Sequence, residues 1–378
     1  MGIASPRLTV SVITKNSENR LARLLTDISD FADEILVGVD ITSTDRTQEI
    51  AESHADIVYK FKHPGQLAPA RLLPFKYATG DWILLLDDDE SIEENFDLIL
   101  PELLNNNLVT NYSFLRKTIV NLEPCEYVYQ PPFFPDWQTR LFRNDKTLVW
   151  KPPHAHSGLY VMGPGEYEER ASILHFEPIF CDAEQRKEKF AWYLESCSKD
   201  AVAEPYTHEE SYYNLISTGL RRFTQPRKPS TASARNKAAL DSQVNELSLN
   251  DLPKWRSEIL KVDLSKVAKC GELLLAAITV KNTGDLAWMP GSSAHRDTQI
   301  NLSYHLYSHD GALISFENER CHVPRSVPVN AEATFIMGLC APAIKGDYIL
   351  EWDMLSEREC WFASNGSKML RSELSVSN

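Results

Sequence analysis

Between Leu8 and about Leu104, short apolar runs alternate with amphipathic stretches, a pattern that predicts βαβ units around a mostly parallel sheet. Leu8 to Ile13 reads as a strand, and Leu21, Leu24, Leu25 and Ile28 fall at the spacing of one buried helix face. Glu34 to Val39 reads as a second strand, Arg46 to Ala55 as a helix, Asp56 to Phe61 as a third strand and Arg71 to Ala78 as a helix. Trp82 to Leu86 is apolar at every position, as a strand buried on both faces requires, and it ends in Asp87-Asp88-Asp89-Glu90. Ser91-Ile92-Glu93-Glu94 has the spacing of a capping box opening the next helix.

Beyond this the alternation loosens. Strand-like pieces at Tyr112 to Val120, Thr139 to Phe142 and Ile173 to Phe176 lie between proline-rich loops, and Asp182 to Asp200 and Glu209 to Leu220 read as helices. Residues 221 to 240 carry six Lys and Arg and no acid, with Pro226 and Pro229, the composition of a linker. After Trp255 the period changes to two: Ile300, Leu302, Tyr304 and Leu306, then Tyr348, Leu350, Trp352 and Met354, alternate with other residues. About seven short strands, with Asp310-Gly311 as a tight turn, predict an immunoglobulin-like sandwich. The expected division is an α/β domain over residues 1–222, a basic linker over 223–254 and an all-β domain over 255–378.

The 378 residues include 53 acidic and 39 basic side chains, a formal charge of −14, and 43% hydrophobic residues. Such a chain buries a core, and its acidity argues against a nucleic-acid partner, because phosphate contacts need clustered Lys and Arg. The longest apolar run, Leu273 to Val280, is far short of the roughly 20 residues that span a bilayer. The first residues lack the plan of a signal peptide, and seven cysteines without a C-x-x-C pair fit reduced thiols, so a cytoplasmic protein is expected. Arg221, Arg222, Arg227, Lys228, Arg235 and Lys237 would allow peripheral contact with anionic lipid, although a solvated hinge is the commoner use of such a run.

Candidate chemistry gathers where strands end. The first βα turn, Thr14 to Asn19, has no glycine to admit a pyrophosphate, which weighs against dinucleotide and P-loop binding. The second strand delivers Asp40 at its carboxyl end, where ligands of open α/β sheets bind and a carboxylate can accept from a ribose or base. Asp45, three residues before Gln48, suits a helix cap. Asp87, Asp88 and Asp89 repel one another unless a cation neutralises them, and carboxylate oxygens suit Mg²⁺ or Mn²⁺.

Taken together, Ser11 to Asn16, Asp40 to Thr47, Ala70-Arg71, Ala78 to Ile83 and Leu86 to Glu90 resemble family 2 glycosyltransferases of the GT-A fold, most of all those building bacterial lipopolysaccharide core and related surface glycans. The resemblance implies that Asp40 contacts the nucleotide base and Arg71 the nucleotide or diphosphate. It makes Asp87 and Asp89 the D-x-D pair around Asp88 at the donor, with Asp89 the direct metal ligand. His175, at the end of Ile173-Leu174, could complete the metal shell or simply be a satisfied core histidine. Many relatives place an acidic base where this chain has His154-Ala155-His156-Ser157-Gly158. His156 is the preferred general base, since an imidazole suits proton abstraction near neutrality, and Asp136 competes with it. Phe133, Phe134, Trp137 and Trp150 could line an acceptor cleft or simply pack. Residues 280–284, Trp288, 304–311, 341–348 and 361–362 are similar to the Ig-like domain appended to bacterial glycan-assembly enzymes.

The resulting expectation is a metal-dependent, inverting transfer of a hexose from a nucleotide-sugar, a UDP-hexose in the first instance, to a saccharide or lipid-linked saccharide. Two rivals stand beside it: a noncatalytic glycan-binding scaffold, and a sugar-nucleotide transferase, which would need the missing glycine-rich loop.

Overall fold

The computed structural model describes residues 5–62, 69–131, 133–150, 159–196, 220–222, 243–247, 252–290, 299–357 and 360–378. The chain divides into two compact units: Met1–Asp145, Lys151–Val161 and Gly165–Leu252 form the first, and Lys146–Trp150, Met162–Pro164 and Pro253–Asn378 the second.

The first unit is built on β1 (Leu8–Thr14), α1 (Leu21–Ile28), β2 (Glu34–Asp40), α2 (Thr47–His54), β3 (Ile57–Lys62) and β4 (Trp82–Asp87). β1 lies between β2 and β4, parallel to both, and β2 pairs with β3, so the chain reverses its direction of growth across β1. That reversal opens a crevice at the carboxyl ends of the strands. Every residue of β2 is buried, and Leu21, Leu24, Leu25 and Ile28 of α1 pack beneath the sheet, as their spacing requires. Gly38 admits the ring of Tyr59, whose Cζ would lie 2.5 Å from an added Cβ.

The expected helix over 71–78 is broken into a 3₁₀ turn at Pro69–Leu72 and a short α3 (Pro74–Tyr77), because Pro74 can only begin a helix. The expected capping box is also corrected. Ser91 lies in a short strand, β5 (Glu90–Ile92), and its hydroxyl donates to Asp27 at 2.7 Å, while α4 starts at Phe96 and ends at Asn105.

The sheet continues through β6 (Asn111–Leu122), β7 (Cys125–Val128) and β8 (Trp137–Arg143), all antiparallel to their neighbours in the order β7-β6-β8-β4. Two short strands, β9 (Val149–Trp150) and β10 (Tyr160–Val161), precede β11 (Gly165–His175), which pairs with both β6 and β5. α5 (Glu177–Phe180) and α6 (Ala183–Ser196) follow.

Leu220–Arg222, read as the end of a helix and the start of the linker, forms β12 beside β7. Within the expected linker, Val244–Glu246 forms β13 at the other edge of the sheet, parallel to β3. Asn245 fixes that strand: it donates to the Lys60 carbonyl at 2.8 Å and accepts from Lys76 at 2.8 Å and the Tyr77 hydroxyl at 3.0 Å. The rest of the Glu209 to Leu220 helix and of the basic run lies outside the described residues.

The second unit is all-β. One sheet holds β14 (Ser257–Asp263), β16 (Leu273–Asn282) and β20 (Glu332–Cys340). The other holds β15 (Val267–Lys269), β17 (Ile300–Ser308), β18 (Leu313–Ser315), β19 (Cys321–His322), β21 (Gly346–Ser356), β22 (Cys360–Trp361) and β23 (Leu370–Ser377). Alternate residues of β16 and β20 are buried, and the rings of Trp255 and Trp288 each lie 6.0 Å from that of Phe362 in the core. β17 departs from simple alternation, because Asn301, Ser303 and His305 are buried as well. The segment from Phe316 to His322 covers them: His305 bonds the Phe316 carbonyl at 2.6 Å and stacks on its ring, and His322 bonds Asn301 at 2.6 Å.

Candidate active site

The carboxyl ends of β1, β2 and β4 bring Thr14, Asp40 and Asp87 to one edge. The first βα turn needs no glycine, since Asn16 itself takes the left-handed conformation with φ 48°. Its side chain accepts the Thr44 N–H at 2.8 Å and so holds the turn against the loop after β2.

Asp40 is 1% exposed. Its Oδ1 accepts the backbone N–H and the hydroxyl of Thr42, each at 2.9 Å, whereas Oδ2 is buried with no partner. An orphaned carboxylate oxygen costs about 1–3 kcal/mol, so Oδ2 is left able to accept a further hydrogen bond. Asp45 lies one residue before the cap position of α2, Arg46, and ties the helix start to the first βα turn, accepting the Thr47 N–H at 3.0 Å and the Glu18 N–H at 3.0 Å.

The acidic run is not neutralised in the way its sequence suggests. Asp87 accepts Arg71 Nη2 on Oδ1 at 2.6 Å and Arg140 Nη2 on Oδ2 at 2.9 Å. Asp88 accepts the hydroxyls of Thr14, at 2.8 Å, and Ser17 on Oδ2, and Arg20 Nε on Oδ1 at 3.0 Å. Glu90, fully buried, accepts Arg140 at 2.5 Å. Four arginines, Arg20, Arg71, Arg116 and Arg140, thus supply the positive charge that repulsion within the cluster demands. Repulsion between these carboxylates is thus relieved by guanidinium groups as well as by any cation that binds.

Burial raises the affinity of Asp87 for its proton, but the guanidinium groups of Arg71 and Arg140 outweigh burial and hold it well below the usual carboxylate range. For Asp88 burial prevails and the pKa rises. Asp89 is lowered: burial opposes ionisation, and His175, Lys189 and Arg20 together outweigh it. His175 Nε2 lies 3.6 Å from Asp89 Oδ2, while its buried Nδ1 has no partner.

A carboxylate and an imidazole on one side of the cluster suit a divalent ion, with the imidazole pulling the choice toward Mn²⁺. Asp87 would have to leave its arginines to join them. Among the described residues, no three His, Cys, Asp or Glu side chains converge to hold an ion.

Asp136, the rival base, already accepts Arg116 Nε at 2.7 Å and Gln138 Nε2 at 2.7 Å. His154 and His156 lie outside the described residues. Phe134 packs with Tyr127 and Tyr129 at ring distances of 5.6 and 4.5 Å, and Trp137 meets Tyr167 edge-on at 4.8 Å. Sequence reasoning missed Glu90, Arg116 and Arg140. Their signal was a charged residue inside an otherwise strand-like run, which a solvated strand face also produces.

Residues 9–158 match the family described as Glycosyl transferase family 2. The chain is 35% identical over 95 residues to an uncharacterized glycosyltransferase of Rickettsia bellii, covering 24% of this chain and 31% of that protein. It is also 25% identical over 191 residues to the lipopolysaccharide core biosynthesis glycosyltransferase LpsC of Rhizobium meliloti, covering 48% and 68%. The first curated relatives are matched over less than a third of their own length, 23% and 31%. Among solved structures, S. aureus TarS aligns with 98% of this chain and 77% of its own at 12% identity and a TM-score of 0.34, too distant to carry an argument.

Proposed function

We propose that the chain is a metal-dependent, inverting glycosyltransferase that moves a hexose from a UDP-sugar to a saccharide or lipid-linked saccharide in surface-glycan synthesis. One observation carries the reading: Asp40 presents a buried, unpartnered carboxylate oxygen at the same sheet edge as the D-x-D run. That oxygen would accept from the base or ribose of the donor. Arg71, 8% exposed and with its Nε unpartnered, would turn toward the diphosphate.

Asp89 and His175 would hold Mg²⁺ or Mn²⁺, which supplies positive charge to the leaving diphosphate. The acceptor hydroxyl attacks the anomeric carbon from the face opposite the diphosphate. The new C–O bond forms as the bond to the leaving phosphate oxygen breaks, and a base takes the hydroxyl proton. His156 is the preferred base, because both oxygens of Asp136 are engaged by Arg116 and Gln138.

The second unit is proposed as an immunoglobulin-like binding or assembly module, with packing accounting for the fully buried Trp288. The proposed domain plan is an α/β domain over residues 1–222, a basic segment over 223–254 that lends β13 to its sheet, and an all-β domain over 255–378. The six described cysteines are free, which fits a reducing, cytoplasmic setting. Among the described residues no helix is long and apolar enough to cross a membrane. Of the basic run proposed for lipid contact, Arg221 stacks on Tyr129 at 3.3 Å and Arg222 lies 3.8 Å from Glu126, while the other four residues lie outside the described residues.

One observation favours the noncatalytic rival: the chain's own arginines neutralise the cluster without an ion. Release of UDP from UDP-hexoses, with and without Mn²⁺, separates the two. Turnover that needs the metal supports the transferase, and none with any nucleotide-sugar leaves the scaffold.

A further inference from the structure

Glu90 is a buried charge that the proposed chemistry does not use. It has 0% exposure, and a carboxylate taken out of water requires compensation from its neighbours. The compensation is specific. Oε2 accepts the backbone N–H of Asp87 at 3.0 Å, and Oε1 accepts Arg140 Nη2 at 2.5 Å with Arg116 Nη1 3.7 Å away.

Each of these arginines has a second duty. The same Nη2 of Arg140 donates to Asp87 Oδ2 at 2.9 Å, and Arg116 donates through Nε to Asp136 Oδ2 and through its backbone N–H to the Asp136 carbonyl, both at 2.7 Å. The series Arg71, Asp87, Arg140, Glu90, Arg116, Asp136 is continuous from the donor edge to the loop that opens β8. Three other elements are tied at this one side chain: β5 carries Glu90, β6 carries Arg116 and β8 carries Arg140.

We infer that Glu90 is a positioning residue, which sets Asp87 at the donor and the Asp136 segment on the acceptor side in fixed register through Arg140 and Arg116. A leucine or methionine would fill the same space without the desolvation cost, so the carboxylate is explained by orientation rather than by bulk. The inference rests on the transferase reading above.

Glu90→Gln keeps the volume and removes the charge, and its amide would place a donor against the Asp87 N–H or against Arg140. Displacements below an ångström at a reacting centre cost turnover more than affinity. The expected result is a fall of at least tenfold in kcat with a UDP Kd, by calorimetry, within threefold of wild type. Arg116→Lys, which keeps the charge but loses the fork joining Glu90 to Asp136, is the second variant should Glu90→Gln fail to fold, and the same split is expected. In a double-mutant cycle, Glu90→Gln and Arg116→Lys should combine to little more than the larger single loss.

Wild-type kcat in the folded variants, equal losses in kcat and UDP affinity, or full additivity would each overturn the positioning role. Wild-type protein that neither binds UDP nor turns over any nucleotide-sugar would instead remove the transferase reading itself, and the inference with it.

Discussion

Asp88 sits in the middle of the D-x-D run, where a ligand role is the natural expectation, yet its contacts assign it to holding the first βα turn. Its carboxylate accepts three donors from that turn: Thr14, Ser17 and Arg20. Asp88→Ala removes all three. Ser17 keeps its bond to the Lys15 carbonyl at 3.0 Å, and Arg20, with a side chain 19% exposed, can be hydrated in part. Thr14, 2% exposed, is left with an orphaned hydroxyl, which costs about 1–3 kcal/mol. The broken ion pair brings the total to about 3–5 kcal/mol. Asp88→Asn retains one acceptor oxygen for the two hydroxyls and loses the charge facing Arg20, so about 1–2 kcal/mol is expected. Urea unfolding measures the stability loss, and calorimetry with UDP and Mn²⁺ measures donor affinity, which should stay within threefold in Asp88→Asn. A tenfold loss of affinity with an unchanged urea midpoint would refute the reasoning and make Asp88 a ligand contact.

Asp40→Ala would remove the charge-assisted hydrogen bond proposed between Asp40 and the donor, and UDP affinity should fall about tenfold or more while kcat stays within threefold, checked by calorimetry and initial rates. With donor and metal saturating, His156→Ala should lose kcat and Asp136→Asn should lose less; the reverse order, with donor binding preserved, would pass the role of base to Asp136. In the second unit, burial raises the Asp353 pKa from 3.8 to about 6. The native state then holds that proton more tightly than the unfolded one. The contribution is therefore fully present below about pH 4 and disappears as pH rises through about 6, a change of about 3 kcal/mol. Hydrogen exchange of β21 amides should show wild type losing stability relative to Asp353→Asn from pH 4 to 7.5, and parallel profiles would contradict it.

Where burial is set by local pattern, the fold was legible in the sequence. Trp82 to Leu86 and the leucines of α1 admit one arrangement each, and β1 to β4 follow from them. Elements fixed by partners distant in the chain were not legible. Ser91 looks like a helix cap until Asp27 is beside it, and Val244–Glu246 becomes a strand only because Asn245 reaches Lys60, Lys76 and Tyr77. The same holds at the site. Asp40 and the D-x-D run could be found from strand ends, and the structure brings His175 to Asp89. Arg71 could be named from the resemblance, but its pairing with Asp87 could not, nor could Arg20 and Arg140 be found, because the three arginines converge from separate elements.

The central claim is a donor site at the carboxyl edge of the sheet, with a metal ion held by Asp89 and His175. Calorimetric titration of UDP into the full chain, in Mn²⁺ and in EDTA, tests it most directly when wild type is compared with Asp89→Asn and His175→Ala. The account predicts that Mn²⁺ strengthens wild-type binding at least tenfold and that each variant loses this enhancement while keeping its folded circular dichroism spectrum. Equal UDP affinity in Mn²⁺ and EDTA for wild type, or an enhancement that survives in both variants, would contradict it.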